Sequence, residues 1–196
     1  MTPLQEFDAV LLTGGSGRRL GGADKPALQV GDRPIVARVA AAAADAGQLI
    51  VVGPAYAGVR ADVVAREDPP GGGPAAALVA GIPHVRAAQV AVLGGDLPFV
   101  TGAVLDDLRR AVAADDGPAL ALLVDDDGRD QPLCAVWRTA ALRTALAGVG
   151  AGTPLRQVVA AAPAVLRRTV RVRAGSAPPW FDCDTPADLA RAREWG

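Results

Sequence analysis

A chain of 196 residues, 51% hydrophobic and 21% charged, can bury one full core, and its length predicts a single domain over residues 1–196. Twenty basic against 21 acidic residues leave a net charge of −1, so no global field draws in nucleic acid or an anionic membrane, and no apolar run approaches the roughly 18–20 residues of a membrane span. Two cysteines with no Cys-x-x-Cys spacing support neither a zinc site nor a disulfide framework, and residues 1–8 lack the regions of a signal peptide, so the expectation is a soluble, cytoplasmic protein with two small half-buried thiols.

At 4% aromatic content, Ala, Val and Leu must fill the core. The first apolar run, residues 7–12, is broken only by Asp8 and predicts a buried parallel strand. It leads into residues 11–28, LLTGGSGRRLGGADKPAL. Gly14, Gly15, Gly17, Gly21 and Gly22 leave the backbone free to wrap an anion, and successive N–H groups in such a loop form a concave donor surface for phosphate oxygens. Arg18, Arg19 and Lys25 add cations around it. Two standard loops are excluded. Lys25 stands between Asp24 and Pro26, which breaks the Walker A pattern, and Leu20 stands where the dinucleotide fingerprint needs its third glycine. What remains is a nucleoside triphosphate grip after the first strand of an α/β domain.

Gly31 and Asp32 predict a turn, and Pro34 suits the start of an alanine-rich helix over residues 35–46, stopped at Gly47. Residues 49–52 predict a second strand and 59–65 a short third. Residues 66–74, REDPPGGGP, forbid regular structure, and such a loop after a strand is where an α/β domain binds ligands. A helix is expected over 75–86. Residues 90–93 form the most strand-like segment and end in Gly94, Gly95 and Asp96. A carboxylate at the carboxyl end of a buried strand needs a cation, and Mg²⁺ on a triphosphate is a natural one.

Thr101 predicts the cap of a helix over 102–113. Residues 119–124 predict a strand, Asp125 to Gly128 a solvated hairpin turn, and 133–137 the returning strand. Helices are expected over 140–146 and 155–161. Residues 165–172 alternate apolar positions with arginines, which fits a strand with a solvated basic face or a surface for a phosphorylated acceptor. Thr185 predicts the cap of a last helix over 186–194. His84, the only histidine, lies away from every motif and reads as structural. The repeated strand–helix order predicts an α/β, three-layer Rossmann-like fold with a mostly parallel sheet.

Leu12-Thr13-Gly14-Gly15, Arg19-Leu20-Gly21-Gly22 and Asp24-Lys25 together resemble the signature of the MobA-like nucleotidyltransferases. Thr13 for Ala and Leu20 for Met are the departures. The likeness extends through Glu67-Asp68 and the glycines after it, through Asp96 at the family's metal aspartate, and through Gln131-Pro132. It reaches Asp182-Cys183-Asp184-Thr185-Pro186, where the family has two asparagines in place of the aspartates. Related cytidylyltransferases often carry Asp-x-Asp-Thr-Pro.

The resemblance implies transfer of GMP from Mg-GTP to the phosphate of molybdopterin-bound molybdenum, with release of pyrophosphate. Lys25, Asp96 and Arg19 are the catalytic candidates. Leu12, Thr13, Gly14, Gly15, Lys25, Gly53, Asp68 and Asp96 are the nucleotide-binding candidates. Asp96, with Asp182 and Asp184, would hold Mg²⁺, and Arg129, Gln131 and Pro132 would face the acceptor. The implied partners are GTP and the molybdenum cofactor, with molybdoenzymes or their chaperones as candidate recipients. Open beside this stand a cytidylyltransferase or sugar-phosphate nucleotidyltransferase of the same fold, and a nucleotide-binding cofactor chaperone without chemistry.

Overall fold

In the computed structural model, which describes residues 6–14 and 24–196, β1 (Phe7–Leu12) is buried along its whole length. It pairs in parallel with β4 (Leu49–Val52) on one side and β6 (Gln89–Gly94) on the other. β5 (Val63–Ala65) extends the sheet beyond β4. On the far side follow β8 (Asp130–Arg138), β7 (Leu120–Val124) and β9 (Val165–Arg168), for an order of β5-β4-β1-β6-β8-β7-β9. Only β8 runs against its neighbours, so the sheet is mostly parallel, as the strand–helix order predicts. β2 (Gln29–Val30) and β3 (Arg33–Pro34) form a small separate hairpin around Gly31, at the expected turn.

Side chains alternate faces along a strand. Phe7, Ala9 and Leu11 meet α1 (Ile35–Ala42), α3 (Gly102–Ala113) and α6 (Pro186–Trp195) on one face. Val10 and Leu12 meet α2 (Pro74–Gly81), α4 (Thr139–Ala145) and α5 (Leu155–Ala160) on the other. This is the predicted three-layer arrangement. Thr101 caps α3 by accepting from the Val104 amide, and Thr185 with Asp188 forms a full capping box on α6.

Several boundaries move, each for a tertiary reason. α1 ends at Ala42, four residues short, because the chain must turn so that the Gly47 amide can donate to the Phe7 carbonyl (2.8 Å). α2 ends at Gly81 and gives way to a single 3-10 turn, Ile82–His84, where Pro83 supplies no amide donor. His84 is exposed on that turn. β5 and β9 are shorter than expected. β8 begins three residues early, at Asp130, because the hairpin pairs Val124 with Asp130 and Leu123 with Gln131. The ladder shifts register between Leu122 and Leu123. Cys134 and Cys183 are free and fully buried rather than half-buried, and burial pushes both thiols up to about 12.

Asp8 is the polar exception within β1 and is 3% exposed. Its carboxylate accepts from the amides of Arg86 (2.6 Å), Ala87 (2.9 Å) and Gln48 (3.0 Å), tying two connections to the amino end of the sheet. Asp8→Ala is expected to lower stability by about 2 kcal/mol, since backbone donors lose a charged acceptor. The measurement is a denaturant titration, with a lower midpoint at unchanged slope.

Candidate active site

Leu12 is in register with Val52 and with Gly94, and Val52 with Ala65. Four parallel strands therefore end level, and the segments leaving them share one edge of the sheet. The backbone continues the ladder a step further: Thr13 N donates to Val52 O (3.0 Å), Gly53 N to Ala65 O (3.0 Å) and Gly95 N to Leu12 O (2.9 Å). The chain runs from β1 outward to β4 and β5, then returns past β1 to β6. That reversal opens a crevice between the segments following β1 and β6, where ligands of open α/β sheets sit.

Of the nucleotide-binding candidates, Leu12 puts its side chain into the core and Thr13 is 3% exposed. The Thr13 hydroxyl is spent on the scaffold, donating to the Pro54 carbonyl (3.0 Å). Only the backbone of these two residues is available to a ligand. Gly14 has open space where a Cβ would project. Gly53 has φ +123°, and a Cβ there would stand 2.7 Å from Gly14 N and from Thr13 Oγ1. Asp68 lies exposed on the loop following β5. Gly15 and Arg19 lie outside the described residues.

Lys25 opens a single 3-10 turn, Lys25–Ala27. Its ammonium donates to Asp96 Oδ2 (2.8 Å) and to Asp184 Oδ1. Asp96, Asp182 and Asp184 each bring a carboxylate oxygen within 4.8 Å of the others. An extended stretch explains the last two: Asp182 and Asp184 point one way, and Cys183 between them is buried in the core on the α1 side. Cys183 N also donates to Asp96 O (3.3 Å). Burial works to lower the Lys25 ammonium, but Asp96 and Asp184 outweigh it and hold its pKa above the ordinary value. Burial, then the charges of Asp184 and Asp96, raise the Asp182 carboxyl. Among the described residues three carboxylates stand against one ammonium, and an all-oxygen donor set of this kind suits a hard divalent cation.

Aromatic packing fixes these acids in place. Phe99, Phe181 and Trp195 form a triangle with ring centroids 5.1–6.2 Å apart. It clamps the residues after Asp96, the residue before Asp182 and the end of α6 together. Arg38 on α1 donates to the Pro98 carbonyl (3.2 Å). The aromatic triangle thus holds the chain just after Asp96, whose carboxylate stands with those of Asp182 and Asp184.

A cleft of about 500 Å³ adjoins the cluster, lined by Asp125, Asp126, Asp127, Gln131, Trp180 and Asp182 among others. Of the acceptor candidates, Gln131 lines this cleft. Pro132 lines a separate depression beside Arg156 and Arg167, because successive residues of β8 face opposite ways. Arg129 is exposed and paired with Asp127 on the hairpin (2.8 Å). The basic stretch near β9 is likewise paired, Arg167 with Asp130 and Arg168 with Asp107, which favours the solvated-face reading of those arginines. Trp180 and Tyr56 are site neighbours that motif reasoning passed over. In a chain so poor in aromatics, an indole two residues before Asp182 was the available signal.

Residues 9–168 match the MobA-like NTP transferase domain. The chain belongs to this family. It is a nucleotidyltransferase by that membership, and enzymes of the family generally use a divalent metal. It is 31% identical over 193 residues to a molybdenum cofactor guanylyltransferase of Cereibacter sphaeroides, covering 93% of each chain. Its fold is similar to that of molybdopterin-guanine dinucleotide biosynthesis protein A from Archaeoglobus fulgidus, at 22% identity and TM-score 0.68, covering 95% of this chain and 97% of the other. It is also similar to that of 2-C-methyl-D-erythritol 4-phosphate cytidylyltransferase from Thermus thermophilus, at 22% identity and TM-score 0.66, covering 94% and 96%. Those two likenesses speak for the fold alone. Among the described residues no helix is long and apolar enough to cross a membrane.

Gly53→Ala tests the packing at the strand ends. A methyl group there meets backbone and a buried hydroxyl in a left-handed conformation, so the variant is expected to lose about 1–3 kcal/mol. A thermal melt of the purified variant checks it.

Proposed function

We propose that the protein transfers GMP from Mg-GTP to the phosphate of the molybdopterin-bound molybdenum cofactor and releases pyrophosphate. The observation that carries the reading is the Lys25–Asp96–Asp184 contact, with Asp182 beside it, at the crevice where the glycine-rich stretch leaves β1. The curated relatives' names supply donor and acceptor.

In this reading the backbone of Leu12, Thr13, Gly14 and Gly15, with Gly53 and Asp68, receives the nucleotide. Lys25 and Arg19 hold its phosphates. Asp96, Asp182 and Asp184 hold Mg²⁺, which when bound neutralises phosphate charge. An oxygen of the acceptor phosphate attacks the α-phosphorus in line; the bond from the α-phosphorus to its bridging oxygen breaks, and that oxygen leaves with pyrophosphate. The chain's part is to position the two phosphates and match the charge that develops, with no covalent enzyme intermediate. Gln131 faces the acceptor across the adjoining cleft, which is acidic, so neutralising an anionic acceptor falls to Lys25 and the cation. Arg129 and Pro132 would contribute only at its margin. The setting is the cytoplasm, with molybdoenzymes or their chaperones taking the product. A cytidylyltransferase is the second reading, favoured by Asp182 and Asp184 in place of the family's asparagines. Competition between GTP and CTP in a pyrophosphate-release assay separates the two, and preference for CTP overturns the guanine assignment.

Asp96→Asn keeps size and shape but removes a cation-binding charge. Turnover is expected to fall by about 10²–10³-fold, as for loss of one group stabilising transition-state charge, while the melting temperature holds or rises as repulsion among the acids eases. Mg²⁺-dependent pyrophosphate release beside a thermal melt checks both. Lys25→Ala removes a charged phosphate partner worth about 1.5–3 kcal/mol, so the KM for GTP is expected to rise about tenfold or more and turnover to fall with it. The same variant takes the Lys25 ammonium away from Asp96 and Asp184, and Mn²⁺ titrated without nucleotide should bind it more tightly than the unaltered protein.

A further inference from the structure

The segment after β4 touches the chain both at Thr13 and Gly14 and at Asp24. At the near end, Pro54 O accepts from the Thr13 hydroxyl (3.0 Å), and Gly53 lies against Gly14 so closely that no Cβ fits between them. At the far end, the Tyr56 phenol donates to Asp24 Oδ1 at 2.6 Å. That is the short distance of a hydroxyl meeting a charged carboxylate. Tyr56 is itself braced: its ring packs with Val59 and Ala61 against the core on the α1 side, and its carbonyl accepts from Val59 N (3.2 Å). Asp24 immediately precedes Lys25, whose ammonium reaches Asp96 and Asp184. A four-residue segment thus holds Thr13 and Gly14 at one end and Asp24 at the other.

We propose that Tyr56 is a positioning residue for nucleotide binding: by holding Asp24 it fixes where the Lys25 side chain starts, so that phosphate partner is placed before the nucleotide arrives. The inference rests on the proposed function, in which Lys25 holds the phosphates of the nucleotide. A charged group placed in advance costs less to order on binding. The contact therefore acts through Lys25, on nucleotide affinity and on turnover only as far as Lys25 itself does, and leaves the acceptor side as it was.

Tyr56→Phe keeps the packed ring and removes only the hydroxyl, so folding survives. Its KM for nucleoside triphosphate is expected to rise about tenfold, with kcat falling less than in Lys25→Ala and the acceptor KM unchanged. Asp24→Ala should match it, and the double variant should be no worse than either single one, because both remove one bond. Asp24→Asn, which keeps an oxygen for the phenol, should stay within about threefold of the unaltered protein. Tyr56 is the chain's only tyrosine, so ultraviolet titration of the tyrosinate reads the contact with no nucleotide present. Burial and the Asp24 carboxylate hold the phenol above its ordinary range, and Asp24→Ala should bring it back down. A nucleotide KM within about twofold in Tyr56→Phe, multiplying effects in the double variant, or a tyrosine that titrates at its ordinary value of about 10 each overturns the positioning role. An unaltered protein that binds no triphosphate overturns the proposed function instead, and the nucleotide-free titration tells the two failures apart.

Discussion

The Lys25 ammonium sits between the carboxylates of Asp96 and Asp184, residues 71 and 159 positions further along the chain. Three carboxylates with oxygens inside 4.8 Å of one another repel one another, and the ammonium offsets part of that repulsion. Burial first, and then the charges of Asp184 and Asp96, raise the Asp182 carboxyl. A fold that holds these groups together must bring the segment after β1, the segment after β6 and the approach to α6 to one point. Sheet order, helix placement and aromatic packing all meet that demand.

The sheet meets it through register. Because β1, β4, β5 and β6 end level, the amides one residue beyond β1, β4 and β6 find carbonyls on a neighbouring strand, and the site is anchored by hydrogen bonds before any side chain is considered. The return of the chain across β1 then decides which two segments face the crevice. On the other side, the triangle of Phe99, Phe181 and Trp195 locks the chain after Asp96 to the chain before Asp182. An aromatic-poor protein concentrates three of its large rings where three charged segments must not drift.

The site is asymmetric in charge. Among the described residues Lys25 supplies its positive charge, while the adjoining cleft is walled by carboxylates, and Arg167 and Arg168 on β9 are paired with Asp130 and Asp107. The fold is shared with a cytidylyltransferase of Thermus thermophilus, so the architecture by itself does not choose the base.

Much was legible along the chain. Apolar runs, broken in the first only by Asp8, marked β1 and β6, the residues after them marked Lys25 and Asp96, and Thr185 marked the start of α6, because strand burial, glycine freedom and helix capping act over a few neighbouring residues. Family motifs added Asp182 and Asp184 to the candidates. That their carboxylates meet Lys25 depended on strand order and on packing across more than 150 positions, which no local pattern encodes. Helix ends moved for the same reason: alanine propensity carries α1 past Ala42, but the Gly47 amide is needed at Phe7. Gln131 and Pro132, adjacent in sequence, were parted by a hairpin register that drew them into β8 and turned them to opposite faces. Thr13 and Tyr56 depended on tertiary structure most of all. Their hydroxyls find Pro54 and Asp24 only after β4 has come to lie beside β1, since a hydrogen bond between distant residues exists only once the chain has folded them together.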